Sequence, residues 1–326
     1  MGCFLGVDVG ATKTHALVAD EHGKVIGFGK AGSGNHEVVG YPGLQYALHE
    51  SVEAALQTAG VTHWQVDGAG FGVAGYDWPS ELSETLETIQ TLHLDCPIEV
   101  VNDSVLGLVA GAAQGWGVGL IAGTGNNVCG RDSLGREGRV TGNGILCGEY
   151  GGGGEIVFCA VQKVCHAWTL RGQPTALTQA FIALAGAADE CDLIEGIVLE
   201  RYHPMAGWAR AVFKAAAEGD AVAQEVIAWN ARELGASAVG VIRQLHLQHE
   251  DFEVVLAGSI FDGGDLYIEP LRQVIQQAAP GARLVRLEAP PVVGGVLLGM
   301  EKAGFYGYDI RETLIVNART WLGRME

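Results

Sequence analysis

Residues 4–24 read FLGVDVGATKTHALVADEHGK, and residues 117–136 repeat the same unit as GVGLIAGTGNNVCGRDSLGR. Each copy consists of an apolar strand, a Gly/Thr turn, a second strand and a D-x-x-G-(K/R) turn. Superposing the copies pairs Thr12 with Thr124 and Asp20 with Asp132. This repetition predicts a duplicated β-hairpin, one copy at the start of each half of the protein.

The two Gly/Thr turns are suited to binding phosphate. A turn of this kind offers uncapped backbone N–H groups and a hydroxyl, which are the groups that a phosphate oxygen needs as partners. Two such turns that face each other would hold a polyphosphate from both sides. The duplication therefore indicates a nucleotide cleft between two related halves.

The order of the remaining elements predicts an α/β fold. Helices alternate with strands after each hairpin, and the second half begins near Gly115. This order is typical of two α/β domains with mixed sheets. A Rossmann fold is excluded because both glycine turns open another strand, whereas a Rossmann turn opens a helix. The chain also lacks the G-x-x-x-x-G-K-(S/T) signature of P-loop enzymes. The tail from Phe305 to Glu326 is predicted to be a surface helix.

Composition restricts the partners and the compartment. The net charge of −18 argues against binding to nucleic acid or to an anionic membrane. No uninterrupted apolar run approaches the ~20 residues of a membrane helix, and the N-terminus enters a strand directly, so no signal peptide is expected. The seven cysteines form no C-x-x-C spacing and are typical of reduced thiols in a cytoplasmic protein. An acidic protein that binds ATP needs a divalent metal beside the phosphates.

Two aspartates stand where a carboxylate could carry chemistry. Asp103 lies at a strand-to-helix junction, where it is either a general base or the N-cap of the following helix. Asp8 lies inside an otherwise apolar strand. A carboxylate there is costly unless it is paired or near a metal, and its alternative role is to cap its own turn.

Five segments in this order resemble the motifs of the actin/hexokinase/heat-shock chaperone superfamily. They are residues 6–14, residues 101–104 (VNDS), residues 121–126 (IAGTGN), residues 255–259 (VLAGS) and residues 290–299 (PPVVGGVLLG). Within that superfamily the chain resembles the branch that holds N-acetylglucosamine kinases and the BadF/BadG/BcrA/BcrD ATPases. The resemblance covers about residues 3–303.

The resemblance implies two ribonuclease H-like lobes with the nucleotide cleft between them. Residues 1–114 would form the N-terminal lobe, completed by residues 292–326, and residues 115–291 would form the C-terminal lobe. ATP and Mg²⁺ are the implied cofactors. The implied phosphate contacts are Gly10, Ala11, Thr12, Lys13 and Thr14 in the first turn and Gly123, Thr124, Gly125 and Asn126 in the second.

The same resemblance implies roles for the other site residues. Gly258 and Ser259 would line the adenosine, and Asp8 would organise Mg²⁺ through water. Asp103 would be the catalytic base and lie beside the acceptor hydroxyl of the sugar, which Asn35 and Glu149 would bind. The residues alone leave alternatives open, because Lys13 could be solvated, Asn35 could belong to an ordinary polar loop, and Glu149 could be a solvated group in a flexible glycine hinge.

Several positions depart from the pattern of the family. Glu149 replaces the aspartate of a G-D-E-G-S motif, and Tyr150 replaces its glutamate. Asn143 stands where animal N-acetylglucosamine kinases carry an aromatic residue, and Ala74 stands near their serine. These departures indicate that phosphoryl transfer is retained while the part of the pocket that recognises the sugar differs.

The predicted function is a cytoplasmic, ATP-dependent kinase of an amino sugar, acting by analogy on the 6-hydroxyl of N-acetylglucosamine. Glucosamine kinase is a close alternative, and homodimerisation is left open. An ATPase that activates a 2-hydroxyacyl-CoA dehydratase is disfavoured, since Leu120 stands where such activators carry a cysteine that binds an iron–sulfur cluster. A sugar-responsive repressor is disfavoured because the chain has neither an N-terminal pair of DNA-binding helices nor a zinc-binding cysteine cluster.

Overall fold

Two five-stranded mixed sheets organise the computed structural model, which describes residues 2–306 and 308–323. The first sheet has the strand order β3-β2-β1-β4-β5 and the second has the order β10-β9-β6-β7-β8. The first five strands are β1 (Cys3–Val9), β2 (Thr14–Asp20), β3 (Val25–Ala31), β4 (Gly68–Val73) and β5 (Ile98–Asn102). The other five are β6 (Gly117–Ala122), β7 (Asn126–Arg131), β8 (Glu137–Arg139), β9 (Phe252–Ala257) and β10 (Ala282–Arg286).

The two sheets have the same topology, which confirms the α/β duplication predicted from the hairpins. In the first sheet β1 pairs antiparallel with β2 and parallel with β4. In the second sheet β6 pairs antiparallel with β7 and parallel with β9. The hairpin registers place Val9 opposite Thr14 and Ala122 opposite Asn126. Each Gly/Thr turn therefore lies at the same edge of its sheet.

Eleven α-helices are present among the described residues. They are α1 (His36–Ala59), α2 (Leu82–Gln90), α3 (Asp103–Gly111), α4 (Gly153–Trp168), α5 (Leu177–Ala185), α6 (Glu190–Val198), α7 (Ala209–Ala217), α8 (Ala221–Gln244), α9 (Asp265–Ala278), α10 (Val292–Lys302) and α11 (Arg311–Leu322). Gly60 ends α1 in the left-handed conformation, as its position after the apolar stripe predicts. Within the described residues, every helix is too short or too polar to cross a membrane.

Helix α10 packs against the first sheet through glycines. A Cβ on Gly6 would lie 2.3 Å from the backbone nitrogen of Val296, and a Cβ on Gly70 would lie 2.2 Å from the carbonyl oxygen of Gly295. Side chains at these positions would force the helix away from β1 and β4. This contact joins a late segment of the chain to the first sheet. The lobe boundaries at residues 114 and 291 stay a prediction.

The C-terminal tail contains an amphipathic helix, α11. Leu314, Ile315 and Ala318 of α11 are buried in the core that also contains Phe4 and α10. The predicted surface helix is confirmed, because α11 buries only this apolar stripe and leaves its other face exposed. Residues 324–326 of the predicted tail lie outside the described residues.

Candidate active site

A cavity of about 560 Å³ lies where the two Gly/Thr turns meet. The described residues that line it include Asp8, Gly10, Thr12, Lys13, Asp103, Gly123, Thr124, Gly125 and Asn126. Most of the predicted phosphate, metal and catalytic residues therefore surround one space. Because the lining comes from both hairpins and from α3, the cavity has the geometry of a cleft between the two sheets.

A second cavity of about 470 Å³ adjoins the first and shares Gly123 and Thr124 with it. Ser259 lines it, together with Phe213 and Ile260. The neighbouring Gly258 has φ +110, and a Cβ there would lie 2.2 Å from the carbonyl oxygen of Ala122. Because Gly258 has no side chain, the end of β9 can approach the end of β6 closely.

The first Gly/Thr turn exposes its tip. Ala11, Thr12 and Lys13 are exposed, and the turn is closed by a hydrogen bond from the Gly10 N–H to the Lys13 carbonyl at 3.0 Å. Thr14 differs from the prediction, since its side chain is fully buried and its hydroxyl donates to the Gly32 carbonyl at 3.0 Å. Thr12 and Lys13 therefore lie at the cleft, whereas the Thr14 hydroxyl points into the protein interior.

The second Gly/Thr turn is held by the N-terminus of α4. The Gly153 N–H donates to the Gly123 carbonyl and the Gly154 N–H donates to the Thr124 carbonyl, both at 2.8 Å. In a trans peptide the N–H points opposite to the carbonyl. The N–H groups of Thr124 and Gly125 consequently point away from α4, on the side of the turn that a phosphate can approach.

The glycines directly before α4 pack closely against the second Gly/Thr turn. A Cβ on Gly152 would lie 2.3 Å from the carbonyl carbon of Gly125. Glu155, which sequence analysis did not single out, accepts hydrogen bonds from the Gly152 N–H at 2.7 Å and from the Asn126 amide at 3.3 Å. The spacing of three residues between Gly152 and Glu155 is that of a capping box and was the available signal. The Asn126 side chain thus braces the turn from behind.

Asp103 is the first residue of α3, and Asn102 is the N-cap of that helix. The Asn102 side-chain oxygen accepts from the Ser104 N–H at 3.1 Å. This assignment removes the alternative in which Asp103 itself is the cap. Burial raises the pKa of the Asp103 carboxyl to about 6, against the opposing hydrogen bond from Ser104, and the charge of Asp77 raises it further.

Asp8 lies at the end of β1 on the same cavity wall. Burial raises the pKa of its carboxyl to about 7, the charge of Asp103 adds to the increase, and Lys13 opposes it. Two desolvated carboxyls that repel each other form a site that a cation would stabilise. Among the residues that the structure describes, no three His, Cys, Asp or Glu side chains form a metal cluster. A hard cation held by one or two carboxylates, water and substrate phosphates fits this arrangement.

The two predicted sugar contacts lie outside the lining of the larger cavity. Asn35 is the N-cap of α1, and its side-chain oxygen accepts from the Glu37 N–H at 2.8 Å. Glu149 is buried and holds the loop before it, accepting from the Thr141 N–H at 2.7 Å, the Thr141 hydroxyl at 2.8 Å and the Gly144 N–H at 3.2 Å. Both side chains are therefore engaged within their own loops, and their contact with a sugar stays a prediction.

Comparison with known proteins identifies relatives along nearly the whole chain. The family described as the BadF/BadG/BcrA/BcrD ATPase family matches residues 5–299. An N-acetylmuramic acid/N-acetylglucosamine kinase of Clostridium acetobutylicum is 25% identical over 300 residues, which cover 91% of this chain and 98% of the relative. An N-acetyl-D-glucosamine kinase of Dictyostelium discoideum is 25% identical over 311 residues, covering 91% and 97%.

Solved structures share the fold at lower identity. A structure described as a putative N-acetylglucosamine kinase from Chromobacterium violaceum is 22% identical with a TM-score of 0.63, covering 91% of this chain and 99% of its own. A ROK family glucokinase from Streptomyces griseus, solved with glucose and AMPPNP, is 20% identical with a TM-score of 0.54, covering 92% and 100%. These similarities confirm the predicted sugar-kinase-type architecture.

Proposed function

The chain belongs to the BadF/BadG/BcrA/BcrD ATPase family, and we propose that it is an ATP-dependent sugar kinase that phosphorylates the 6-hydroxyl of N-acetylglucosamine or a related amino sugar. The observation that carries the proposal is the position of Asp103, whose carboxyl lines the same cavity as both Gly/Thr turns. A base next to the expected position of the γ-phosphate is what transfer to a hydroxyl requires. The names of the kinase relatives support the same activity.

The proposed position of ATP follows the two adjoining cavities. The phosphates lie between the turn at Gly10–Lys13 and the turn at residues 123–125, and the adenosine enters the cavity lined by Ser259. Asp8 would hold Mg²⁺, and the ion would supply charge neutralisation at the transferred phosphoryl group. Lys13 is the cation that the first turn exposes to the same cavity, where it would contact a phosphate oxygen.

The proposed chemistry assigns one proton transfer to the chain. With a pKa of about 6, the Asp103 carboxyl is ionised at neutral pH and can accept the proton of the attacking hydroxyl. Positioning and electrostatic stabilisation provide the remainder of the rate enhancement, because phosphoryl transfer needs little covalent work from the protein. Such a base contributes roughly 10²- to 10⁴-fold.

Glucosamine is the second candidate acceptor. Ala74 and Asn143 replace the groups found in animal N-acetylglucosamine kinases, and this difference favours an acceptor without the acetamido group. We propose that Asn35 and Glu149 contribute to the sugar site, Asn35 through its side-chain amide and Glu149 through the 141–144 loop. A cytoplasmic location is part of the same proposal, since the activity consumes ATP.

The experiment that tests the proposal is a coupled ADP-release assay over a panel of acceptors. The panel contains N-acetylglucosamine, N-acetylmuramic acid, glucosamine and glucose, with a control that lacks any acceptor. We expect an amino sugar to accelerate ADP release strongly, and the phosphorylated position is then assigned by NMR. If every acceptor leaves the rate at the level of the control, the sugar kinase proposal fails and an ATPase activator becomes the better interpretation.

A further inference from the structure

The loop between β4 and α2 makes a contact with the second sheet next to the start of α3. One side-chain oxygen of Asp77, in this loop, accepts from the Asn102 amide at 3.1 Å and from the Arg139 guanidinium at 3.4 Å. Arg139 is the last residue of β8, in the second sheet, whereas Asn102 ends β5 in the first. Asp77 therefore joins the two sheets through a single carboxylate.

Asn102 passes this contact to the helix that carries Asp103. Its amide donates to Asp77 and to the Tyr76 carbonyl at 3.0 Å, while its oxygen caps the Ser104 N–H. The nitrogen and the oxygen of the Asn102 side chain are thus both hydrogen-bonded, and together they connect the loop to the first turn of α3. Asp77 is therefore connected through one residue, Asn102, to the first turn of α3 and to the adjacent Asp103.

Each side of the contact is held in place by hydrogen bonds to a neighbouring side chain. The N–H groups of Asp77 and Trp78 each donate to Glu81 at 2.7 Å. Across the gap, the backbone of Arg139 exchanges hydrogen bonds with the Gln244 side chain at 2.9 and 3.1 Å. The Arg139 guanidinium also lies over the Trp78 ring, 5.5 Å from its centre. Asp77 and Arg139 are therefore already positioned for their ion pair, and little conformational entropy is lost when it forms.

Stability does not account for the contact. The side chains of Arg139 and Asp77 are 35% and 28% exposed, and ion pairs at this exposure add little to folding free energy. A cavity of about 160 Å³ runs beneath the pair, and Asn102 and Ser104 form part of its wall. The pair thus spans an open gap between the sheets, immediately beside the proposed catalytic base.

We propose that Asp77 and Arg139 are positioning residues, through which the second sheet fixes the orientation of α3 and of Asp103. When Arg139 engages Asp77, Asn102 is held and the first turn of α3 is set. The inference rests on the proposed function, because it assumes that Asp103 is the base. It adds that the base is aligned only when the two sheets are in contact.

The test compares Arg139→Gln, Asp77→Asn and the double variant with Arg136→Gln. The control removes the same charge from the same hairpin, but Arg136 pairs with Asp132 of its own hairpin at 2.6 Å. A small misplacement of a catalytic group can cost up to about 100-fold in rate, so we expect kcat to fall about 10-fold or more in either single variant while the KM for ATP changes little. Because the two residues act as one unit, the double variant should lose no more than either single variant.

A second measurement separates this inference from the proposed function. Hydrogen exchange of the peptide covering the first turn of α3 should accelerate at least about 3-fold in Arg139→Gln and Asp77→Asn, and stay unchanged in Arg136→Gln. This measurement needs no substrate. An inactive wild-type protein that shows these exchange differences would refute only the kinase proposal. Unchanged exchange in both variants, or multiplicative losses of kcat in the double variant, would overturn the positioning role.

Discussion

Replacing Asp103 with asparagine should strongly reduce turnover and stabilise the fold at the same time. The amide has the shape of the carboxyl but cannot accept the proton of the attacking hydroxyl. We expect kcat to fall about 10²-fold or more at pH 7.5, with the KM for ATP nearly unchanged. The adenosine cavity is lined by other residues, which is why nucleotide binding should persist.

The effect on stability follows from the raised pKa of Asp103. Burial lifts it from 3.8 to about 6, so between these pH values the native state binds more protons than the unfolded state, and stability falls as pH rises. Above pH 6 the carboxylate costs at most about 3 kcal/mol, because the cleft leaves it partly solvated. Asparagine carries no charge and avoids this cost. The variant should therefore be more stable than wild type at pH 8 and equal to it below pH 4.

The assay measures both properties across the same pH range. Coupled ADP release between pH 5 and 8.5 should show a wild-type kcat/KM for the sugar that is about 10-fold lower at pH 5 than at its plateau, since only the ionised Asp103 acts as base and kcat/KM reports the pKa before the sugar binds. Saturating Mg²⁺ keeps Asp8 ionised, because a bound cation favours its charged form. Urea unfolding at pH 4 and pH 8 gives the stability difference. Turnover near the wild-type rate, or a variant that is less stable at pH 8, would refute the reasoning.

Three further outcomes are expected. In steady-state kinetics, Glu149→Ala should raise the KM for the sugar at least about 10-fold and leave the KM for ATP unchanged, because it frees the 141–144 loop, and Glu149→Asp is the matched variant. A raised KM for ATP with an unchanged KM for the sugar would instead place Glu149 on the metal–phosphate side. Gly258→Ala should destabilise the fold by more than about 2 kcal/mol in urea unfolding, since its Cβ would meet the Ala122 carbonyl, and a neutral effect would contradict the described approach of β9 and β6. The radius of gyration from small-angle scattering should decrease with sugar and a non-hydrolysable nucleotide, whereas an unchanged value at saturation would indicate a cleft that is already closed.

The fold was predictable from sequence because its deciding signals are local. Each hairpin carries its apolar strands and its Gly/Thr turn within about twenty residues, and the two copies specify the same sheet edge. The position of Asp103 at the start of α3 follows equally from the strand-to-helix pattern. Residues that depend on this edge, such as Thr12 and Thr124, were therefore predicted together and lie around one cavity.

Other residues were not predictable because long-range packing decides their surroundings. Thr14 belongs to the same turn as Thr12, yet its hydroxyl donates to Gly32, eighteen positions away. Glu155 has a local signal in its capping-box spacing to Gly152, but its contact with Asn126, 29 positions away, has none. The partners of Glu149 are close in sequence, but their arrangement depends on how the 141–144 loop folds back onto it.

The two turns share a topology but differ in how firmly they are held, and this difference has a functional consequence. The second turn is clamped by Gly153 and Gly154 at the start of α4, with Glu155 behind it. The first turn is held by one longer hydrogen bond of this kind, from the Gly34 N–H to the Gly10 carbonyl at 3.2 Å, and the tips of both turns are exposed. A turn that is held in this way can present its N–H groups to a phosphate without reorganisation. The first turn adds the cation Lys13 to the same cavity, whereas the second turn carries no charged side chain. The two turns would therefore hold the phosphates differently, the second through preorganised backbone N–H groups and the first also through charge.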